Sequence, residues 1–355
     1  MQRDLKTRND HKPHSIFLNR MNQSGFKSPP KTTNPDGRER SAGYEFEFTG
    51  IDMADAAALI QTLYGGIIQK KSAYEFDVGD TQFGTFRIEL DAQLLREKKY
   101  EALLKKVGID LETFKKKKTI EDSLMELASS VVPFEIITPP IPLSKMHRLN
   151  AITKNLREKK AEGTGSSFIY AFGLHINPEV SDKSTASILN HLRAYVLLDP
   201  WIRKDAKIDV SRRITPFINP YKENYILHIL NEEYLPDLET LIKDYFAFDN
   251  SRNRALDLLP LFMHLNRELT SALLEDTLTS GRPTWHYRLP NCSIEDESWT
   301  LALEWNRWVI VEKLAQDENE LYRYMRAYKK VKKETVIGFE RKWVELMNRW
   351  VKENA

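Results

Sequence analysis

Aromatic and acidic residues alternate along Gly43–Phe48, GYEFEF, directly after some forty residues that show no periodicity. Alternation at period two predicts a strand with Tyr44, Phe46 and Phe48 on one face and Glu45 and Glu47 on the other. Two like charges on one strand face stand about 7 Å apart and repel each other. Past this strand, Asp52 is placed to cap a helix over Ala54–Leu63. Two short extended runs follow, Gly66–Lys70 and Ala73–Val78, and a third in Phe83–Leu90, FGTFRIEL. Asp91–Val107 reads as an amphipathic helix with Leu94, Leu95, Leu103 and Leu104 inward, and Lys115–Lys118 as a solvated helix start or loop. Val131–Thr138, VVPFEIIT, is a strand stopped by Pro139 and Pro140.

The second half predicts a helix over Leu143–Lys160, a turn at EGTGSS, and a nearly continuous apolar strand over Ser167–Asn177, SFIYAFGLHIN. Helical patterns cover Lys183–Leu198, Glu232–Phe246 and the region around Leu261–Leu278, and Pro283–Leu289, PTWHYRL, reads as a last strand. From Ile294 the chain reads as helix, with a stripe of Leu301, Trp305, Trp308 and Glu312 and another of Phe339, Trp343, Leu346, Met347 and Trp350. Such stripes predict faces docked on the body or on a partner subunit. The short hairpin-like strand pairs argue against a purely parallel sheet and predict an α+β fold, an antiparallel sheet backed by helices. Three parts follow: residues 1–40 as a flexible basic tail too poor in aliphatics to offset its ordering entropy, 41–293 as a catalytic domain, and 294–355 as C-terminal helices.

Composition narrows the class. In 355 residues, a net charge of +2 lacks the basic excess of a committed nucleic-acid binder, and one cysteine, Cys292, excludes an intrachain disulfide framework or a Cys-rich zinc site. The N-terminal stretch has no apolar signal region, and the longest apolar run, Leu256–Leu265, is broken by Pro260 and carries His264. A cytoplasmic protein with no membrane segment is the expectation.

The predicted strands carry ionisable residues where apolar ones would be cheaper. Glu89 and Asp91 repeat the Glu45/Glu47 spacing, Glu135 interrupts VVPFEIIT, His175 and Asn177 share a face, and so do His286 and Arg288. Taken singly, each reads as a solvent-facing residue or a hydrogen-bonded core histidine. Taken together, carboxylates on several strands of one sheet face suit a hard divalent cation bound to phosphate oxygens. Arg288, planar and always charged, would then stabilise a transferring phosphoryl group. No GxxxxGK[ST] loop, GxGxxG turn, HExxH, CxxC or GxSxG motif is present. A Cys292/His286 nucleophile–base pair lacks a group to orient the histidine.

The order GYEFEF, FRIELD, PFEIITPPI, FGLHIN, WHYRLPN resembles the amidoligase family of the glutamine synthetase/glutamate–cysteine ligase superfamily of carboxylate–amine ligases, over roughly residues 43–291. The resemblance implies a glutamine-synthetase-like antiparallel sheet, curved like a half-barrel, with helices on its convex side and ATP and two or more Mg2+ ions on the concave face. It implies formation of an acyl phosphate from ATP and a carboxylate, then attack by an amine to give an amide. Residue by residue it implies Glu45, Glu47, Glu135 and His175 as metal ligands, Glu89 and Asp91 as further ligands or orienters of the amine, and Arg288 as a contact to the γ-phosphate or the substrate carboxylate. Arg213, with Arg212, and Arg252 and Arg254 fall where the family places substrate-binding arginines, by order only, and read equally as surface charges.

Two positions depart from the family pattern. His286 stands where glutamate is usual, and its softer nitrogen favours Mn2+ or Zn2+ over Mg2+. Asn177 stands where many members have histidine, and its amide oxygen can coordinate or touch phosphate. The expected partners are small-molecule or peptide carboxylates and amines, and such folds often assemble into homo-oligomers. Two other readings stay open: a catalytically retired binding or assembly protein, and a divalent-metal hydrolase using the same carboxylates.

Overall fold

The computed structural model describes residues 25–72, 74–90, 133–164, 172–208, 212, 218–249, 252–274, 279–335 and 337–355. Asp91, Arg213, the Asp91–Val107 helix, Lys115–Lys118 and the first part of the Ser167–Asn177 strand lie outside the described residues.

The alternation at GYEFEF forms a strand as expected, β1 (Ser41–Phe48), followed by α1 (Met53–Tyr64), whose first turn Asp52 caps by accepting from Asp55 N at 2.7 Å. The three extended runs become β2 (Ile67–Ser72), β3 (Glu75–Thr81) and β4 (Gly84–Leu90), and β5 (Phe134–Ile137) and β6 (Ile141–Pro142) flank the Pro139-Pro140 stop. A 3-10 turn over Leu143–Leu149 leads into α2 (Asn150–Glu158), then β7 (Leu174–Pro178) and the long α3 (Thr185–Asp205). Then come α4 (Glu223–Ile229), α5 (Leu238–Asp249), β8 (Leu256–Asp257), α6 (Leu259–Leu265), α7 (Arg267–Leu273) and β9 (His286–Tyr287). The chain closes with α8 (Leu301–Gln316), α9 (Glu318–Glu334) and α10 (Phe339–Asn354).

The nine strands form one open antiparallel sheet in the order β2-β3-β4-β5-β1-β7-β9-β8, with β6 on the start of β1. Side chains paired across an antiparallel ladder share a face, so the register sorts the sheet into rows. Phe76, Ile88, Ile136, Phe46 and Leu174 form one apolar row, and Tyr44, Ile176, Tyr287 and Leu256 another. Helices cover this face: the Tyr64 ring of α1 stacks on Phe86 at 5.1 Å between centroids, nearly parallel. The opposite face carries the row Glu75, Glu89, Glu135, Glu47, and beside it Asp77, Arg87, Ile137, Glu45 and His175.

Several elements differ from the sequence pattern. α3 runs on past Leu198 through Pro200. Proline forfeits one helical hydrogen bond, but Trp201 and Ile202 beyond it are buried, and their burial carries the helix on. The Leu261–Leu278 helix is two, α6 and α7, parted at Asn266, whose side chain accepts from Leu269 N and restarts the helix. The C-terminal helical part begins at Leu301, where Thr300 is the N-cap, rather than at Ile294. α8 is not striped but encased, because nearly every residue from Leu301 to Ala315 is buried. Trp343 of α10 donates from Nε1 to Leu197 O of α3 at 2.8 Å, so this tryptophan face packs on the body.

The described part of the stretch expected as a tail, residues 25–40, is fastened to α8. Lys27 N donates to Asn306 Oδ1, and Trp305 Nε1 donates to Lys27 O, both at 2.8 Å. Arg40 is buried and pairs with Glu312 through two bonds, 2.8 and 2.6 Å. Composition alone hides such an arm, since it is held by polar contacts more than 270 residues away in sequence. Among the described residues no helix is long and apolar enough to cross a membrane.

Candidate active site on the acidic face of the sheet

β1 presents Glu45 and Glu47, β5 presents Glu135 opposite Glu47, and β7 presents His175 opposite Glu45. All four are buried. The histidine sits between the two glutamates that the strand forces side by side: its Nδ1 lies 2.7 Å from Glu45 Oε2 and its Nε2 3.2 Å from Glu47 Oε1. Asn177 Nδ2 donates to Glu45 Oε1 at 2.9 Å, and Gly173 N donates to Glu47 Oε2 at 2.6 Å. Like charges in a dry place are thus offset by an imidazolium and by N–H donors.

Burial pushes the Glu45 carboxyl upward, but the hydrogen bond and charge of His175, with His286 and Arg282 behind it, hold it well below the usual range. Burial raises Glu47 too, and His175, Arg212 and the Gly173 N–H outweigh it and lower it. Burial alone would lower His175, yet its two glutamates raise it. Burial pushes the His286 imidazole down to about 4, with Arg288 adding to the effect and Asp257 and Glu45 opposing it. His286 is therefore neutral at neutral pH, the form that ligates a metal.

Two triplets of donor atoms converge, Glu45/His175/His286 and Glu47/Glu135/His175, each within 4.8 Å. The rings of His175 and His286 meet edge to face at 5.3 Å. His286 Nε2 and Asn177 Oδ1 are buried with no hydrogen-bond partner. Orphaned buried lone pairs beside carboxylates fit a divalent cation, which would supply their missing partner. His286 Nδ1 lies 3.4 Å from Asp257 Oδ2, outside hydrogen-bond alignment.

The structure brings Glu45, Glu47, Glu135, His175, His286 and Asn177 together, and leaves others at the margin. Glu89 continues the acidic row outward, half-buried, 3.9 Å from Arg87 Nε. Arg288 is buried next to His286, its Nη1 donating to Arg252 O at 3.4 Å while its Nε lacks a partner. Arg212 faces backbone instead of a ligand, donating to Leu289 O and Pro290 O at 2.6 and 2.5 Å and to Arg288 O at 2.8 Å. Arg254 donates to Pro220 O.

Two residues escaped the sequence reading. Asp257, buried beside His286, also accepts from Leu259 N at 2.9 Å. Its signal was a lone carboxylate inside the apolar run LDLLPLFMHL, which opens with β8, ahead of the helix expected around Leu261–Leu278. Arg282 reaches Glu45 Oε1 at 3.5 Å from a turn that has no strand or helix periodicity.

Gly173 marks how tightly the site's floor is built. A Cβ there would stand 2.4 Å from Arg212 Nη2, whose guanidinium is pinned by three carbonyls. Gly173→Ala is expected to cost about 1–3 kcal/mol through overpacking and to weaken the Gly173 N–H bond to Glu47. Urea unfolding checks it, with an unchanged midpoint as the contrary result.

No curated protein and no solved structure matches the chain. The sequence profile of the family described as "Putative amidoligase enzyme" matches residues 38–310. That span holds the whole acidic face and reaches into α8, beyond the 43–291 expected from the motifs. Matched over more than half of its length, the chain belongs to the amidoligase family.

Proposed function

We propose that this protein is an ATP-dependent carboxylate–amine ligase that forms an amide bond through an acyl phosphate. The observation that carries the reading is the pair of donor triplets sharing His175 on the buried acidic face, in a chain of the amidoligase family. Glu47, Glu135 and His175 would hold one divalent cation, and Glu45, His175 and His286 are the alternative set. The oxygen-rich first set suits Mg2+ or Mn2+, and the second, with two nitrogens, suits Mn2+ better. A bound cation would supply positive charge to phosphate oxygens.

In the reaction, a substrate carboxylate oxygen attacks the γ-phosphorus of ATP and the bond to the ADP oxygen breaks. The amine nitrogen then attacks the acyl carbon, phosphate leaves, and the amine loses a proton. In this reading Arg288 contributes fixed positive charge from beside His286, and Glu89 and Asp91 orient the incoming amine. Burial excludes water from Glu45, Glu47 and His175, which strengthens every charge interaction there.

Calorimetric titration of Mg2+–ATP and of Mn2+–ATP into the wild type and a Glu45→Gln/Glu47→Gln variant tests this without knowledge of the substrates. Cation-dependent nucleotide binding that disappears in the folded variant is the expected result. Absence of nucleotide binding with either metal would sink the ligase reading and leave a hydrolase or a retired scaffold.

A further inference from the structure

Arg282 belongs to neither triplet, yet it is built into the rim of the site. It lies in the turn that leads into β9, and that turn is held on both sides. Arg282 N donates to Pro260 O and Val180 N donates to Pro283 O, both at 2.9 Å, and Thr284 bridges to Glu179. Gly281 packs so closely on α6 that a Cβ there would stand 2.9 Å from His264 N. From this fixed base the side chain reaches Glu45, Nη1 to Oε1 at 3.5 Å, while 40% of it stays open to solvent. Its Nε is buried and has no hydrogen-bond partner.

Those contacts conflict with a cation on Glu45. Glu45 Oε1 already accepts from Asn177 Nδ2, and Glu45 is a donor in the His175/His286 triplet. A divalent ion there repels the guanidinium and competes with it for Glu45 Oε1, which Asn177 already occupies. A guanidinium so displaced, with a buried N–H already lacking an acceptor, gains a charge-assisted partner from an anionic acceptor that arrives with the ion. Its planar fork matches phosphate oxygens. Arg288 also has an unpartnered Nε, but it is buried and contributes charge from a fixed place, whereas the half-exposed Arg282 has room to turn.

We propose that Arg282 is a phosphate-receiving residue of this site: it yields Glu45 to the divalent cation and turns to a phosphate oxygen of the metal-bound nucleotide. The inference rests on the ligase reading and adds to it a residue that exchanges one partner for another as the site loads.

The test measures Mn2+ alone and Mn2+–ATP by calorimetry in wild type, Arg282→Gln and Arg282→Lys. In Arg282→Gln, removal of the competing charge tightens Mn2+ about threefold or more. Loss of the charge-assisted bonds weakens Mn2+–ATP about tenfold or more in the same variant. Arg282→Lys keeps the charge without the fork, so its Mn2+ affinity stays near wild type and its Mn2+–ATP affinity falls between the other two. A merely structural role moves both affinities the same way, and that outcome, or no change in either, overturns the proposal. Failure of the wild type to bind Mn2+–ATP is the distinct failure of the ligase reading, and the phosphate role falls with it.

Discussion

Glu312→Ala is expected to destabilise the protein by about 3–5 kcal/mol, because it leaves a buried arginine without its counter-charge. Arg40 and Glu312 are joined by two bonds of 2.8 and 2.6 Å, and both side chains are essentially inaccessible. Trp308 Nε1 adds a 2.7 Å bond to Glu312 Oε1. Two further donors of Arg40 go to Glu179 O at 2.8 Å and Lys31 O at 2.6 Å. Truncating the glutamate therefore leaves a desolvated guanidinium without the carboxylate that pairs with it. Replacing both partners with apolar residues, Arg40→Met/Glu312→Leu, is expected to recover most of the loss, since the pair's attraction is largely offset by its desolvation. Urea unfolding decides: a lower midpoint at unchanged slope is expected for the single variant and a near-normal midpoint for the double. A single variant within about 1 kcal/mol of wild type would show that the arm over residues 25–40 contributes little to the fold.

That arm shows where a sequence stops being readable. Residues 25–40 have no apolar period because the Trp305, Asn306 and Glu312 side chains of α8 hold them by hydrogen bonds to Gly25 O, Lys27 and Arg40, and such contacts leave no local signature. β1 was legible for the opposite reason: alternation along Tyr44–Phe48 is imposed by the strand itself. Glu135, His175 and His286 were legible as ionisable residues in strand interiors, where burial makes them costly without partners. Their convergence on one face was legible only from the set taken together and from the family resemblance, whereas the cross-strand register that sets Glu47 against Glu135 and Glu45 against His175 depends on strand order. Arg212 shows the limit from the other side. Its place in the chain order suggests a ligand contact, whereas its guanidinium holds the carbonyls of Arg288, Leu289 and Pro290, a role only tertiary structure specifies. No strand was expected at β8, and β9 covers only His286–Tyr287 of the expected Pro283–Leu289, because two-residue ladders carry too little pattern to separate from the neighbouring helix or loop.

His175→Ala is expected to abolish metal binding at both triplets at once, lowering Mn2+ affinity by about a hundredfold or more, since even changes behind the first ligands cost ten- to a hundredfold. The residue is common to both donor sets and presents Nδ1 to Glu45 and Nε2 to Glu47. The same change has a stability consequence with a defined pH window. In the wild type Glu45 and Glu47 are lowered, so they contribute stability above the ordinary carboxylate range that is lost as pH falls through their folded values. His175 is raised, so its contribution is full below the ordinary histidine pKa and is lost as pH rises through its folded value. The gap in stability between wild type and His175→Ala is therefore widest between those limits, and it narrows in acid and again in base. Within that window Mn2+ must displace the His175 proton, so wild-type affinity rises with pH until the raised histidine value is passed. Manganese titrations and urea midpoints across pH test both halves. A variant that keeps Mn2+ binding, or a stability gap that does not change with pH, would remove His175 as the shared centre of the site.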